Sequence, residues 1–306
     1  MTQSNIFCLL GPTAAGKTQL ALALAQKFPI EIVSVDSALI YRDMNIGTAK
    51  PDVATMKAIP HHLIDICDPS ESYSVAQFKQ DAEFAISDIL QRNKIPLLVG
   101  GTMMYFNMLR KGIAELPSAD PGIRQRLTKE AALKGWPRLH ARLLQVDPVS
   151  AARIHAQDGQ RIQRALEVFL QSGRNLTDWL ANQTSPQLPY HMHTWIVAPT
   201  SRVVLHERIA ARFEQMFQAG FVEEVRHLYE RGDLSLENPS MRSVGYRQVW
   251  QYLAGEYSLN EAREKGIIAT RQLAKRQFTW LRRFTDVLWF DALDPNLFDR
   301  LCTAMF

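Results

Sequence analysis

Three cysteines in 306 residues, Cys8, Cys67 and Cys302, are too few and too scattered for a disulfide framework, and no C-x-x-C pair suggests a zinc site. A reducing compartment fits that usage. No stretch approaches the roughly eighteen consecutive apolar residues of a membrane span, and the start, Met1-Thr2-Gln3-Ser4-Asn5, lacks a basic segment ahead of an apolar one. A cytoplasmic protein with no membrane partner is therefore expected. Internal repeats and low-complexity tracts are also missing, which excludes a solenoid or a long flexible linker. The tetrapeptide N-K-x-D that reads guanine in nucleotide switches is absent as well.

What is present begins at Gly11-Pro12-Thr13-Ala14-Ala15-Gly16-Lys17-Thr18, which fits the phosphate-cradling pattern G-x-x-x-x-G-K-[ST]. The apolar run Ile6 to Leu10 ahead of it reads as a strand, and Gln19 to Lys27 behind it reads as a helix. Strand, glycine loop and helix are the context this chemistry needs. The two glycines admit a close anion, the helix N-terminus favours negative charge, Lys17 can reach a terminal phosphate, and the Thr18 hydroxyl suits Mg²⁺. A di- or triphosphate is expected here.

With 46% hydrophobic residues the chain can bury one large domain and a smaller one. Further strands are expected at Glu31 to Asp36 and Ile95 to Val99, with a helix from Ser74 to Arg92 between them. This alternation predicts an α/β fold: a P-loop type parallel sheet flanked by helices. Ligands in such sheets bind beyond the carboxyl ends of the strands, where the loop, Asp36 and Thr102 all fall. Between Leu109 and Trp195-Ile196-Val197-Ala198 only short helical stretches occur, at 123–134, 138–145 and 160–171. The expected organisation is a core of 1–112 and 191–306 interrupted by an all-helical insertion at 113–190, with long helices at 206–220 and 260–284 closing over the sheet.

Asp36 ends a hydrophobic strand and has two readings: a carboxylate behind Mg²⁺, or a general base. The run Ser37-Ala38-Leu39-Ile40-Tyr41-Arg42 after it mixes polar and apolar residues suited to holding a planar group beside the carboxylate. Both readings stay open on the residues alone.

Charge is uneven: residues 1–100 carry 8 Lys/Arg against 10 Asp/Glu, and residues 101–306 carry 27 against 21. The segment from Arg271 to Arg283 holds five cations, no acid, Phe278 and Trp280, with Arg271, Lys275, Phe278 and Arg282 at helical spacing. Such a stripe suits a nucleic-acid backbone, and a solvated amphipathic helix with inward aromatics is the plainer alternative. Two more compact groups, Gln160 to Arg164 and Met241 to Arg247, add donors suited to phosphates and base edges. Arg208 and Arg212 share one helical face and read either as a phosphate clamp or as a surface pair neutralised by Glu207 and Glu214.

G-P-T-A-A-G-K-T, V-D-S-A-L-I-Y-R-D-M-N-I-G-T-A-K-P at 35–51, P-L-L-V-G-G-T at 96–102, L-P-S-A-D-P at 116–121, R-A-L-E-V at 164–168, R-S-V-G-Y-R at 242–247 and T-R-Q-L-A-K-R-Q-F-T-W-L-R at 270–282 together resemble the bacterial tRNA dimethylallyltransferase (isopentenyltransferase) family. The likeness spans almost the whole chain in the family's order. Ala15 stands where many members have Ser, and Ala38-Leu39-Ile40 where some have Met-Gln-Val. The resemblance implies that the loop holds the diphosphate of dimethylallyl diphosphate with Mg²⁺ on Thr18, and that the prenyl group passes to N6 of the adenosine 3′ of the anticodon. Asp36, Lys17, Thr102 and Arg212 are the catalytic residues it implies. It also implies tRNA contacts from Asp36, Ser37, Ala38, Leu39, Thr102 and Arg124, and from Gln160, Arg161, Ile162, Gln163 and Arg164. Further implied contacts are Arg242, Ser243, Val244, Gly245, Tyr246 and Arg247, then Lys275, Arg276, Gln277, Phe278, Thr279, Trp280, Leu281 and Arg282. The partners so implied are tRNA, gripped at its anticodon stem-loop by the insertion, and dimethylallyl diphosphate, acting on a monomer. A small-molecule kinase or ATPase is the rival reading, and it needs no basic aromatic stripe.

Overall fold

The structure is a computed structural model, and it describes residues 4–112, 116–181 and 189–305. Six strands among these residues, β1 (Ser4–Leu10), β2 (Ile30–Val35), β3 (His61–His62), β4 (Ile95–Gly100), β5 (Tyr190–Ala198) and β6 (Leu288–Asp291), pair in the order β3-β2-β4-β1-β5-β6. Every pairing is parallel. The inner strands are buried on both faces, β2 along its whole length, which explains why Ile-Glu-Ile-Val-Ser-Val lacks strict alternation. Its one buried charge, Glu31, is gripped by Arg92 and His62.

In chain order the helices are α1 (Lys17–Lys27), α2 (Val53–Ala58), α3 (Val75–Gln91), α4 (Met103–Lys111), α5 (Pro121–Lys134), α6 (Trp136–Val146), α7 (Pro148–Arg153), α8 (Gly159–Ser172), α9 (Leu176–Ala181), α10 (Arg202–Gln218), α11 (Phe221–Glu230), α12 (Tyr246–Leu253), α13 (Leu259–Leu281) and α14 (Leu297–Ala304). The long ones start at strong caps. Ser74 with Gln77 and Ser258 with Glu261 each form a reciprocal box that satisfies two orphan amides at the heads of α3 and α13. Pro121 and Pro148 sit in the first turns of α5 and α7, where a missing N–H costs nothing.

The chain divides into two compact units, Met1–Met108 with Leu188–Phe306, and Leu109–Gln187. Residue 113, where the insertion was expected to begin, lies outside the described residues, and Tyr190, its expected end, opens β5 opposite Ser4. In the first unit Phe7, Leu9, Leu24, Ile32, Leu97 and Trp195 fill one face of the sheet with α1 and α14. A second cluster joins Ile40, Tyr41 and Met44 to Phe213, Phe221, Met241, Tyr246 and Trp250 on the helices. Ile40 and Tyr41 therefore anchor the segment after Asp36 in the core, and Ser37, Ala38, Leu39 and Arg42 retain exposed surface. In the second unit Leu127, Leu139, Leu143, Ile162 and Leu166 form a separate core. No helix among the described residues is long and apolar enough to cross a membrane.

Candidate active site

Strand order decides which loops meet. Because β4 lies between β1 and β2, the Gly101-Thr102 turn sits between the phosphate loop after β1 and Asp36 after β2. Thr102 stitches that edge: its amide donates to the Val35 carbonyl at 3.2 Å, and its hydroxyl accepts from the Ser37 amide at 3.1 Å. On the other flank β5 presses so close that a Cβ on Gly11 would lie 2.1 Å from the Val197 carbonyl oxygen. Gly11 is thus required by the neighbouring strand.

Gly16 is required by its conformation. It caps α1 at φ 87°, in the left-handed region, and offers no side-chain acceptor. The first amides of α1 are left for an anion, in the half of the helix dipole that favours one. Lys17 donates to the Pro12 carbonyl at 2.7 Å, curling back over the loop. Desolvation there pulls its pKa from 10.5 to about 8, against the opposing pull of Asp36 and with a smaller push from Arg212. Arg212 is also lowered, by desolvation first, with Asp36 again opposing. Lys17, Asp36 and Arg212 therefore share one electrostatic neighbourhood. Glu214, a candidate neutraliser of Arg212, instead pairs with Arg263 at 3.0 Å, and the hydrogen bond Arg212 makes is a long one, 3.4 Å to the Thr48 carbonyl. The clamp reading fits this better than the surface-pair reading.

One oxygen of Asp36 is spent locally. Oδ1 accepts from the Ala38 amide at 2.8 Å and the Leu39 amide at 3.4 Å, a turn that fixes the side chain. Oδ2 has no hydrogen bond or ion pair among the described residues. A carboxylate held by one oxygen and open at the other is suited to accept a proton.

Residues implied as RNA contacts fall into three groups. Ile162, Tyr246 and Leu281 are fully buried, so their side chains pack the cores. Gln277 is buried too, and its amide receives the Thr13 N–H at 2.9 Å while donating to the Gly101 carbonyl at 2.9 Å, which clasps the phosphate loop to the β4 turn. Lys275, Arg276, Thr279, Arg282, Arg242 and Arg247 are exposed. The stripe on α13 is split: Phe278 packs with Leu205, Ile209, Ala274 and Ala14 of the phosphate loop, while Lys275 and Arg276 face water. In the helical unit Arg124 and Arg164 both grip Glu167, with bonds of 2.9 and 2.8 Å, and Gln163 donates to the Arg124 carbonyl at 3.0 Å. Gln160 and Arg161 are exposed on the first turn of α8, Arg161 pairing with Asp158 at 3.4 Å. Ser243, Val244 and Gly245 lead into α12, where Gly245 donates to Gln248 at 2.8 Å.

Glu224 escapes any reading of local sequence. Its carboxylate collects the amides of Asn45, Ile46 and Gly47 at 2.9, 2.7 and 3.1 Å and the Tyr246 hydroxyl at 2.5 Å. Lys50 completes the fastening, donating to the Tyr41 carbonyl at 2.8 Å and pairing with Asp65. This segment carries Thr48, whose carbonyl accepts from Arg212, so Glu224 fastens that stretch from about 180 residues along the chain.

The family described as IPP transferase matches residues 39–284 of the chain. A tRNA dimethylallyltransferase of Methylococcus capsulatus is 54% identical over 295 residues, covering 96% of this chain and 95% of the relative. Among solved structures, the full-length tRNA isopentenylpyrophosphate transferase of Bacillus halodurans superposes with a TM-score of 0.71 at 36% identity, over 99% of this chain and 94% of that one. A eukaryotic dimethylallyltransferase caught acting on tRNA superposes with a TM-score of 0.84 at 27% identity, over 99% of this chain and 77% of that one.

Proposed function

The chain belongs to the IPP transferase family, and on that premise we propose that it moves the dimethylallyl group of dimethylallyl diphosphate to N6 of the adenosine 3′ of the anticodon in tRNA. The observation that carries the reading is the pairing of an anion-ready loop with the half-free carboxylate of Asp36 across Thr102. The bond from the allylic carbon to the diphosphate oxygen breaks, its electrons leave with diphosphate, and the carbon bonds to N6. Asp36 Oδ2 takes the N6 proton as that bond forms, a contribution of about 10²–10⁴-fold for a positioned base. Adenine N6 lies on a pairing edge, so the base must leave its stack to reach Asp36.

Charge develops on the departing diphosphate, and the α1 amides, Lys17 and Arg212 are fixed to meet it. Magnesium fits this loop: the Thr18 side chain is exposed on the first turn of α1. No group of three or more His, Cys, Asp or Glu residues among the described residues could cage a metal, so Thr18, diphosphate oxygens and water would hold the ion. Bound there, it would neutralise leaving-group charge. One chain carries the loop, the base and the cations, so a monomer working on cytoplasmic tRNA is the simplest assembly.

The test is to incubate the protein with Mg²⁺, labelled dimethylallyl diphosphate and unmodified tRNA, and in parallel with labelled ATP. Label should enter tRNA with diphosphate released. Phosphate transfer or release from ATP, with no prenylated tRNA, would restore the kinase or ATPase reading.

A further inference from the structure

Beyond the carboxyl ends of β5 and β6 lies a cleft of about 340 Å³, lined by Thr200, Arg202, Phe278, Arg282, Trp289 and Asp291 among others. It opens on the same strand edge as the phosphate loop, because β5 neighbours β1 and β6 neighbours β5, all parallel. Phe278 is common to both: it lines the cleft and packs against the cluster that also holds Ala14.

The lining has the chemistry of a nucleotide site. Trp289 is 46% exposed on the edge strand, and its indole has no aromatic partner among the described residues. The guanidinium groups of Arg202 and Arg282 are exposed, and neither has an ion pair or hydrogen bond among the described residues. Asp291 is the only acid in the lining, and its two oxygens are occupied: Oδ1 accepts from the amides of Thr200 and Leu293 at 3.2 and 3.0 Å, and Oδ2 accepts from the Thr200 hydroxyl at 2.9 Å. Two free cations against one committed carboxylate leave the cleft positive. A solvated charge run would not gather an exposed indole and two unpaired arginines in the lining of one concavity, and the volume falls at the small end of the roughly 300–1,000 Å³ usual for ligand sites.

We propose that this cleft holds a single unstacked nucleotide of the RNA substrate, its base against Trp289 and its phosphate on Arg202 and Arg282. The proposal rests on the tRNA reading and extends the binding face from α13 to Arg202 and Trp289. Stacking of a base on an aromatic side chain is worth about 1–3 kcal/mol and tolerates any base, so the site contributes affinity and register with little sequence preference.

The experiment measures binding of an unmodified anticodon stem-loop RNA to wild-type protein, Trp289→Ala, Trp289→Phe and Arg202→Ala, at several salt concentrations. Thermal unfolding of each variant confirms an intact fold. Trp289→Ala should weaken binding about 5- to 100-fold, with Trp289→Phe recovering most of it. Arg202→Ala should weaken binding and flatten the slope of log affinity against log salt by about 0.7, the value for one phosphate on a single strand. Dimethylallyl diphosphate affinity without RNA should not move. If wild-type protein binds and prenylates the RNA but folded Trp289→Ala and Arg202→Ala bind it like wild type, the cleft is not an RNA site and a protein or other partner must be sought for it. If wild-type protein neither binds nor prenylates RNA, the tRNA reading itself fails.

Discussion

In the loop-bearing unit Lys17 and Arg212 lie near Asp36, and no carboxylate among the described residues is hydrogen-bonded to either. In the helical unit Arg124 and Arg164 converge on the fully buried Glu167, which also accepts the Asp120 amide at 2.8 Å. Burial alone would raise that glutamate's pKa, but the guanidiniums of Arg164 and Arg124 outweigh it and hold the carboxyl below its usual range. Cations kept out of ion pairs and partly desolvated are a field waiting for an anion. Cations clasping a buried acid are first of all scaffold. The same residue type serves different ends because its neighbour is either water-excluding backbone or a buried carboxylate.

Breaking the clasp should give the largest change. Glu167→Ala takes the shared acceptor from two partly exposed guanidiniums and a backbone amide at a fully buried site, a loss at or below the figure of about 3–5 kcal/mol for removing one partner of a buried pair. Denaturant unfolding or hydrogen exchange of the helical unit should register that loss, while diphosphate binding by the other unit stays intact. Next come the field residues: Lys17→Ala and Arg212→Ala should each lower the single-turnover rate by about 10²–10³-fold with little change in unfolding midpoint, as for other lone electrostatic donors. Equal stability losses in both sets would erase the contrast.

Lys17 sharpens it further through pH. Its folded pKa of about 8 lies below the ordinary 10.5, so the cation is present below about pH 8 and lost above it. Diphosphate affinity should be level below that point and fall by up to about tenfold per pH unit above it, in binding measured without RNA. Folding stability moves the other way: the unfolded chain binds more protons between about 8 and 10.5, so stability from this group rises across that window. The smallest effect is expected at Gln277. Gln277→Leu should cost about 1–3 kcal/mol by leaving the Thr13 amide and Gly101 carbonyl unpaired, seen as weaker diphosphate binding more than as weaker RNA binding.

The two regions also differ in how far they could be read from sequence. The loop, its flanking strand and helix, and Asp36 at a strand tip are short-range patterns, and the strands at 30–35 and 95–100 follow from uninterrupted apolar runs. Helix α13 was expected at 260–284 and spans Leu259–Leu281, set by the Ser258 box. What local pattern could not carry is partnership across the chain. Gln277 lies within a basic stripe, and the reach of its side chain 264 residues back to the phosphate loop has no local signature. Glu224 gave no signal, since three amides of an Asn-Ile-Gly turn become its ligands only once α11 packs there. Short β3 and β6 are edge strands of two and four residues, below the length at which alternation can be seen. Arg164 and Arg124 were legible as cations but not as partners of Glu167, because R-A-L-E-V shows the acid without its burial.

On the proposed reaction Asp36 acts on the chemistry through its free oxygen while the cations act on the leaving group. Asp36→Asn tests it most directly, since the amide oxygen can still accept from Ala38 and Leu39 while the proton acceptor is lost. Single-turnover prenyl transfer and stem-loop RNA affinity are measured on the same preparation. The expected result is a rate lower by about 10²-fold or more with RNA affinity within a few-fold of wild type. A rate within a few-fold of wild type, or a rate loss matched by an equal loss of RNA affinity, would contradict it and leave Asp36 a binding residue.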